Sequence, residues 1–218
     1  MNSALLNGLT EFFAVYPGMA TQPSPPGYVC LAGPFSFKAS TLHYEEIEDR
    51  YNLEIKIPDS FPRDIPQVRE IGNDIPSEAD FHRNADGSLC LGAPIAILKT
   101  LNSHPTFMDY IKRCLLPYLY AVSHKKLYGG DFVFGELAHG ADGLIKEYTK
   151  LFGLQDKQQV IEALHLLTIN KQVANKKRCP CGCGKKVSKC WFHKKILFYR
   201  KLALPSFYSE QLNAISRL

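Results

Sequence analysis

The sequence predicts an α+β fold, with strands grouped early and helices late, and three observations predict it. Residues 51–57 alternate apolar and polar side chains, with Leu53, Ile55 and Ile57 on one face, which is the period of a half-buried strand. Residues 144–152 and 160–169 instead carry apolar side chains at i, i+3 and i+4, the period of a helix. Between these regions, Thr106-Phe-Met-Asp109 has the spacing of a capping box that opens a helix.

The other elements follow in chain order. Leu5, Leu6, Leu9, Phe12 and Phe13 fit one face of an N-terminal helix. Thr21-Gln-Pro-Ser-Pro-Pro-Gly27 reads as a loop, because proline and glycine continue neither a helix nor a ladder. Residues 28–31 read as a first strand and 35–37 as its continuation beyond Gly33-Pro34, while 67–71 make a short later strand. The helix opened at Thr106 carries Tyr110, Ile111, Leu115 and Leu116. Pro117 is expected to kink or end it, since proline lacks an amide donor and clashes with the preceding turn. No internal repeat or low-complexity tract interrupts the order.

Composition sets outer bounds. With 218 residues, 45% of them hydrophobic, the chain suits one medium domain or a domain with a small appendage. No stretch is long and apolar enough to span a bilayer. The start, MNSALLNGLTEFFAVYPG, lacks a basic region and carries Glu11, so it is a poor signal peptide. The formal charge of +5 hides a split: residues 171–201 hold 11 Lys or Arg and no acidic side chain, against 15 basic and 21 acidic in the rest. An acidic body with a basic tail is the natural division. Of seven cysteines, Cys30, Cys90 and Cys114 are scattered, and Cys179, Cys181, Cys183 and Cys190 cluster. An odd count without an export signal points to a reducing cytoplasm, metal ligation and a reactive thiol rather than disulfides.

The densest motif is Tyr51–Pro94. An alternating strand meets a proline corner, Phe61-Pro62 through Ile65-Pro66, and ends in Asp86-Gly-Ser-Leu-Cys-Leu91. Asp86-Gly87-Ser88 is a strong turn signal that delivers Leu89-Cys90-Leu91 as a short extended segment. A cysteine between leucines is ordinarily a buried small hydrophobe. The order of strand, proline corner, His82, turn and Cys90 nevertheless resembles the core of ubiquitin-conjugating (E2) enzymes, and it looks closest to bacterial stand-alone E2-like proteins found in CBASS-type anti-phage islands. The specific motifs cover about 45 residues, and the likeness covers roughly the first 150 residues. That resemblance implies a UBC/E2-like fold, with an N-terminal helix, an antiparallel meander and C-terminal helices. It also implies a thioester on Cys90.

E2 enzymes carry a His-Pro-Asn motif whose Asn, eight residues before the cysteine, supports the oxyanion. Here Asp80, Phe81 and His82 stand at those places, so His82 is the implied oxyanion donor; a solvated loop histidine is the plainer reading. Asp80 and Asp86 are accessory candidates that also read as cap and turn residues. In the aromatic, glycine-rich segment 129–140, Glu136 and His139 are placed to orient an incoming amine, unless Phe132 and Phe134 simply dock the loop.

The tail, Cys179-Pro-Cys181-Gly-Cys183-Gly-Lys-Lys-Val-Ser-Lys-Cys190-Trp-Phe-His193, resembles the SEC-C type of zinc motif. Closely spaced thiolates grip one ion, and glycines let the backbone turn. The resemblance implies structural Zn²⁺ on Cys179, Cys181, Cys190 and His193, with Cys183 as the alternative, because Trp191 stands where the family usually has its last ligand. Lys176, Lys177, Arg178, Lys185, Lys186 and Lys189, interleaved with Trp191, Phe198 and Tyr199, suit nucleic acid, an acidic protein face, or charge balance for the thiolates.

Together these readings divide the chain into an E2-like catalytic domain over 1–155, a helical connector over 156–175 and a zinc-binding module over 176–218. The leading function is an E2-like acyl carrier in prokaryotic antiviral defence. It would take the C-terminus of a ubiquitin-like modifier, or of a CD-NTase (a cGAS-like nucleotide second-messenger synthase), and pass it to an amine. No adenylation domain is present, so a separate activating enzyme or a primed substrate is implied. A non-catalytic E2/RWD-like module whose zinc tail docks protein or nucleic acid is the alternative, and retention of Cys90 argues against it. A cysteine hydrolase using Cys90 with His139 lacks a third residue to orient the histidine.

Overall fold

The computed structural model describes residues 3–84, 86–134 and 140–216. Glu136 and His139 therefore lie outside the described residues. The chain packs as two compact units: Met1–Gly92 with Thr100–Glu136, and Ala93–Lys99 with Leu137–Leu218. Helix α2 (Pro94–Ser103) runs across that division. Packing thus divides the chain earlier than composition does. None of the helices found is long and apolar enough to cross a membrane.

The first unit is α+β. After α1 (Ser3–Val15) come β1 (Ala20–Gln22), β2 (Tyr28–Ala39), β3 (Ile47–Pro58) and β4 (Gln67–Glu70), an antiparallel four-stranded sheet in the order β1-β2-β3-β4. Period-two alternation fixes which face of β3 is inward, and Leu53, Ile55 and Ile57 have no exposed surface. β2 runs unbroken through Gly33-Pro34, where the sequence suggests two pieces. Asn52 uses its carbonyl toward the β4 side, accepting from Ile71 N–H at 2.8 Å. The Pro34–Asn52 pair is therefore not hydrogen-bonded, and the missing donor of Pro34 faces the edge beyond the end of β1, where no strand needs it.

Helical chain follows as α3 (Phe107–Tyr110), a π-helical turn (Ile111–Leu115) and α4 (Leu116–Tyr128). Thr106 caps it as expected, accepting from Asp109 N–H at 3.0 Å and donating to Asp109 Oδ2 at 2.6 Å. Pro117 does not end it. The wider turn directly upstream absorbs the absent donor, and Pro117 sits in the first turn of α4, where proline is tolerated. Phe12 of α1 packs edge-on against Phe107, 5.1 Å between centroids, and α4 is tied to the sheet by Tyr51 Oη to Ser123 Oγ (2.8 Å) and Ser123 Oγ to Asp49 (2.6 Å).

The second unit is helical: part of α2, then α5 (Gly140–Phe152), α6 (Lys157–Thr168), α7 (Lys171–Lys176), a 3₁₀ turn (Val187–Lys189), α8 (Phe192–Leu202) and α9 (Pro205–Ser216). α6, in the stretch read as a connector, packs against α5, α8 and α9. Two tail cations are internal fasteners. Lys195 donates to the carbonyls of Phe152 (2.6 Å) and Leu151 (3.4 Å), closing the end of α5, and Arg200 donates to Ile169 O (2.7 Å) and Leu166 O, closing α6. The units differ sharply in charge: the first has 10 basic against 16 acidic side chains, the second 16 against 5.

Candidate functional site

The segment around Cys90 is a small hairpin. Asn84 N–H reaches Ser88 O at 2.8 Å, Arg83 bridges Leu89, and Cys90 N–H donates to His82 O at 2.8 Å. The eight-residue spacing of His82 and Cys90 is therefore the spacing of a strand pair. Asp86 holds the tip, accepting from Ser88 N–H (3.0 Å), Ser88 Oγ–H (2.6 Å) and Gln67 Nε2 (2.8 Å). The Ser88 hydroxyl bond chiefly keeps its carboxyl below the usual range, against mild burial. Asp86 has the part of a turn residue. The returning arm also docks on β4, through an Arg69–Ser88 bridge and Leu89 N–H to Val68 O at 2.8 Å, so Cys90 stands where the sheet's edge ends.

Cys90 is half-buried, and burial pushes its thiol above the ordinary value of 9.0, with a hydrogen bond from Gly92 N–H pulling the other way. His82 is buried at 4% exposure, in the left-handed region at φ 53°, and its ring meets Phe132 edge-on at 4.5 Å. A non-glycine residue held there is uncommon and marks a conformation enforced by its surroundings. One enforcing contact is Tyr118 of α4, whose hydroxyl donates to Phe81 O at 2.7 Å. Burial, against the pull of the Arg83 charge, raises the Tyr118 phenol well above its usual range. Sequence reading missed Tyr118, because nothing in local pattern links a helical tyrosine to a hairpin 28 residues earlier. Asp80 is exposed on a 3₁₀ turn (Ala79–Phe81), where its backbone carbonyl accepts from Lys125 Nζ at 3.4 Å.

The second site is the cysteine cluster. A short antiparallel hairpin forms it: Cys179 N–H to Lys185 O (2.9 Å), Val187 N–H to Lys177 O (3.0 Å) and an Arg178–Lys186 bridge. Gly182 (φ 77°) and Gly184 (φ 73°) sit in the left-handed region and fold the tip back, so that Cys181 and Cys183 turn toward Cys190. The four sulfurs of Cys179, Cys181, Cys183 and Cys190 all lie within 4.8 Å of one another, with contacts of 3.2, 3.5 and 3.6 Å. A tetrahedral ion with sulfurs at about 2.3 Å needs edges of about 3.8 Å, so this donor set fits one metal ion. Cys183, the alternative in the sequence reading, completes the set, and His193 is not part of it. His193 lies in the first turn of α8, with its N–H on Cys190 O at 3.1 Å and its Nε2 buried without a hydrogen-bond partner. Within the cluster, burial pushes the Cys179 and Cys181 thiols up, while for Cys190 burial, which also raises it, is outweighed by the Phe192 N–H and the neighbouring thiols, which bring it below its ordinary value.

In comparisons with known proteins, the chain matches no family model, no curated protein and no solved structure.

Proposed function

We propose that the first unit is an E2-like acyl carrier with Cys90 as its nucleophile. The observation that carries the reading is the hairpin: it pairs His82 with Cys90 at the end of a four-stranded meander, beyond the proline corner at Phe61-Pro62. In the first step the Cys90 thiolate attacks the carbonyl carbon of a protein C-terminus held as a thioester on a separate activating enzyme. A new C–S bond forms, the donor's C–S bond breaks, and the donor sulfur leaves as a thiol, carrying the proton that Cys90 gave up. An acceptor amine then attacks the same carbonyl; its N–C bond forms, the Cys90 C–S bond breaks, and the amine's proton leaves to the departing sulfur or solvent. His82 is the donor we assign to the oxyanion, and Tyr118 a positioning residue that holds the Phe81–His82 backbone. The acyl group we favour is the C-terminus of a ubiquitin-like modifier or a CD-NTase, in prokaryotic antiviral defence. For the second unit we propose structural Zn²⁺ on Cys179, Cys181, Cys183 and Cys190, the ion best matched to a closed, four-sulfur tetrahedral site.

One observation favours the alternative, a non-catalytic E2/RWD-like binding module: burial raises the Cys90 thiol above its ordinary value, where a reactive cysteine is usually held below it. Trapping decides between them. The tagged protein and its Cys90→Ser and Cys90→Ala variants are expressed in the native host and resolved on non-reducing gels. Acyl transfer gives a thiol-sensitive adduct on wild type, a thiol-resistant ester on Cys90→Ser, and none on Cys90→Ala. Absence of any Cys90-dependent adduct sinks the enzyme reading.

A further inference from the structure

We propose that the second unit binds single-stranded nucleic acid through the outward face of α8 and the cationic hairpin that leads into it. α8 buries Phe192, Ile196 and Tyr199 on one side, and the other side carries Trp191, Lys194, Phe198 and Lys201 at helical spacing, all exposed. Trp191 and Phe198 are two turns apart, about 10 Å along the axis. They are 56% and 37% exposed, and Lys195 Nζ lies 5.5 Å from the centre of the Trp191 ring. Flat aromatic surface left in water between cations matches a base with its phosphate, a combination that binds any sequence because every base has a π-face.

Charge balance for the cysteine cluster does not account for these cations. A divalent ion on four thiolates leaves a net charge of about −2. Of the 11 Lys and Arg between Lys171 and Lys201, Lys195 and Arg200 are engaged inside as helix fasteners, and the remaining nine are exposed. Among the described residues none of the nine is in an ion pair with a carboxylate. Arg178 and Lys186 even face each other across the hairpin bridge, a like-charge pair that is unfavourable until an anion lies between them. An acidic protein surface would satisfy the cations but gives no reason to hold Trp191 open between them.

The test uses the full-length protein and fluorescein-labelled 20-nucleotide oligouridine and oligothymidine, read by anisotropy and by the fluorescence of Trp191, the single tryptophan of the chain. The expected result is binding at low salt that quenches Trp191 and weakens linearly in log[salt], with the matching duplex bound more weakly and without quenching. Trp191→Ala/Phe198→Ala weakens binding at least about tenfold and leaves the salt slope unchanged. Lys185→Ala/Lys186→Ala lowers the slope by up to about 0.7 for each phosphate that is no longer neutralised. All four positions are exposed, so the fold is retained, which circular dichroism checks, and Cys90→Ser binds as wild type does, separating this activity from acyl transfer. Three outcomes overturn the proposal: no binding at low salt, an aromatic double variant that binds normally, or binding without quenching that polyglutamate competes equally, which would identify an acidic protein as the partner.

Discussion

Cys90 and His82 illustrate how a single backbone pair can carry a site. The Cys90 N–H to His82 O bond fixes the thiol's place, while the half-buried setting withholds the proton from solvent and pushes the thiol above 9.0. The sign of the consequence is definite. A thiol whose folded value is raised above its unfolded one contributes stability below the unfolded value and loses it as pH rises through the folded value. Reactivity runs the other way, since the thiolate is the nucleophile. Alkylation of Cys90 by iodoacetamide, followed by peptide mass spectrometry, should therefore be slow at neutral pH and reach its midpoint above 9.0, whereas a denatured control reacts at the ordinary value. A midpoint below that of the control would overturn burial as the dominant influence on this thiol. The eight-residue separation of His82 and Cys90, which the sequence offers only through its E2 likeness, is in the structure the register of a hairpin pair. Tyr118 was not legible, because its hydrogen bond to Phe81 O is tertiary. Spacing alone allows either Cys183 or His193 beside the other three cysteines, and the left-handed glycines on both sides of Cys183 bring its sulfur into the cluster.

Secondary-structure elements were legible where one local rule dominates. β3 follows its period-two pattern, and Thr106 caps α3 with the bond its spacing implies. Two prolines were misleading for the same reason: the cost of a missing donor depends on what faces it. Pro34 faces an unpaired edge, and Pro117 follows a π-helical turn that has already released the ladder. Thr106 gives the clean test at this scale. Its hydroxyl satisfies one orphan amide at the helix start and is the main reason that the Asp109 carboxyl lies below its usual range. Thr106→Ala should destabilise the protein by about 1 kcal/mol in urea unfolding, and Thr106→Ser should recover most of the loss. Equal stability of all three proteins would mean that solvent caps the helix just as well.

At the scale of the whole chain, the two units differ in what holds them together. The sheet unit has a core that includes the buried faces of β2 and β3, with the Tyr51–Ser123–Asp49 link to α4 and no cysteine cluster among its described residues. The second unit packs α5, α6, α8 and α9, but its cysteine hairpin has few backbone bonds and four sulfurs crowded within 4.8 Å. Structural zinc in small motifs contributes on the order of 10–16 kcal/mol of apparent binding free energy, far more than that hairpin can supply alone. Removing the ion should thus open the hairpin while α5, α6 and α9 keep their own packing, and the sheet unit should not respond. Amide exchange after chelation reads this directly: protection should fall at Cys179, Val187 and Cys190, whose N–H groups hold the hairpin and the turn after it, and persist along β3. Cobalt substitution identifies the ligands in the same protein. If the proposed fourth donor is the Cys183 thiolate, Cys183→Ser should weaken the sulfur-to-metal charge-transfer band and His193→Ala should leave it unchanged. A band that changes with His193→Ala instead would return the histidine to the site, and protection that survives chelation at Cys179 would remove the metal from the account of how this unit is held.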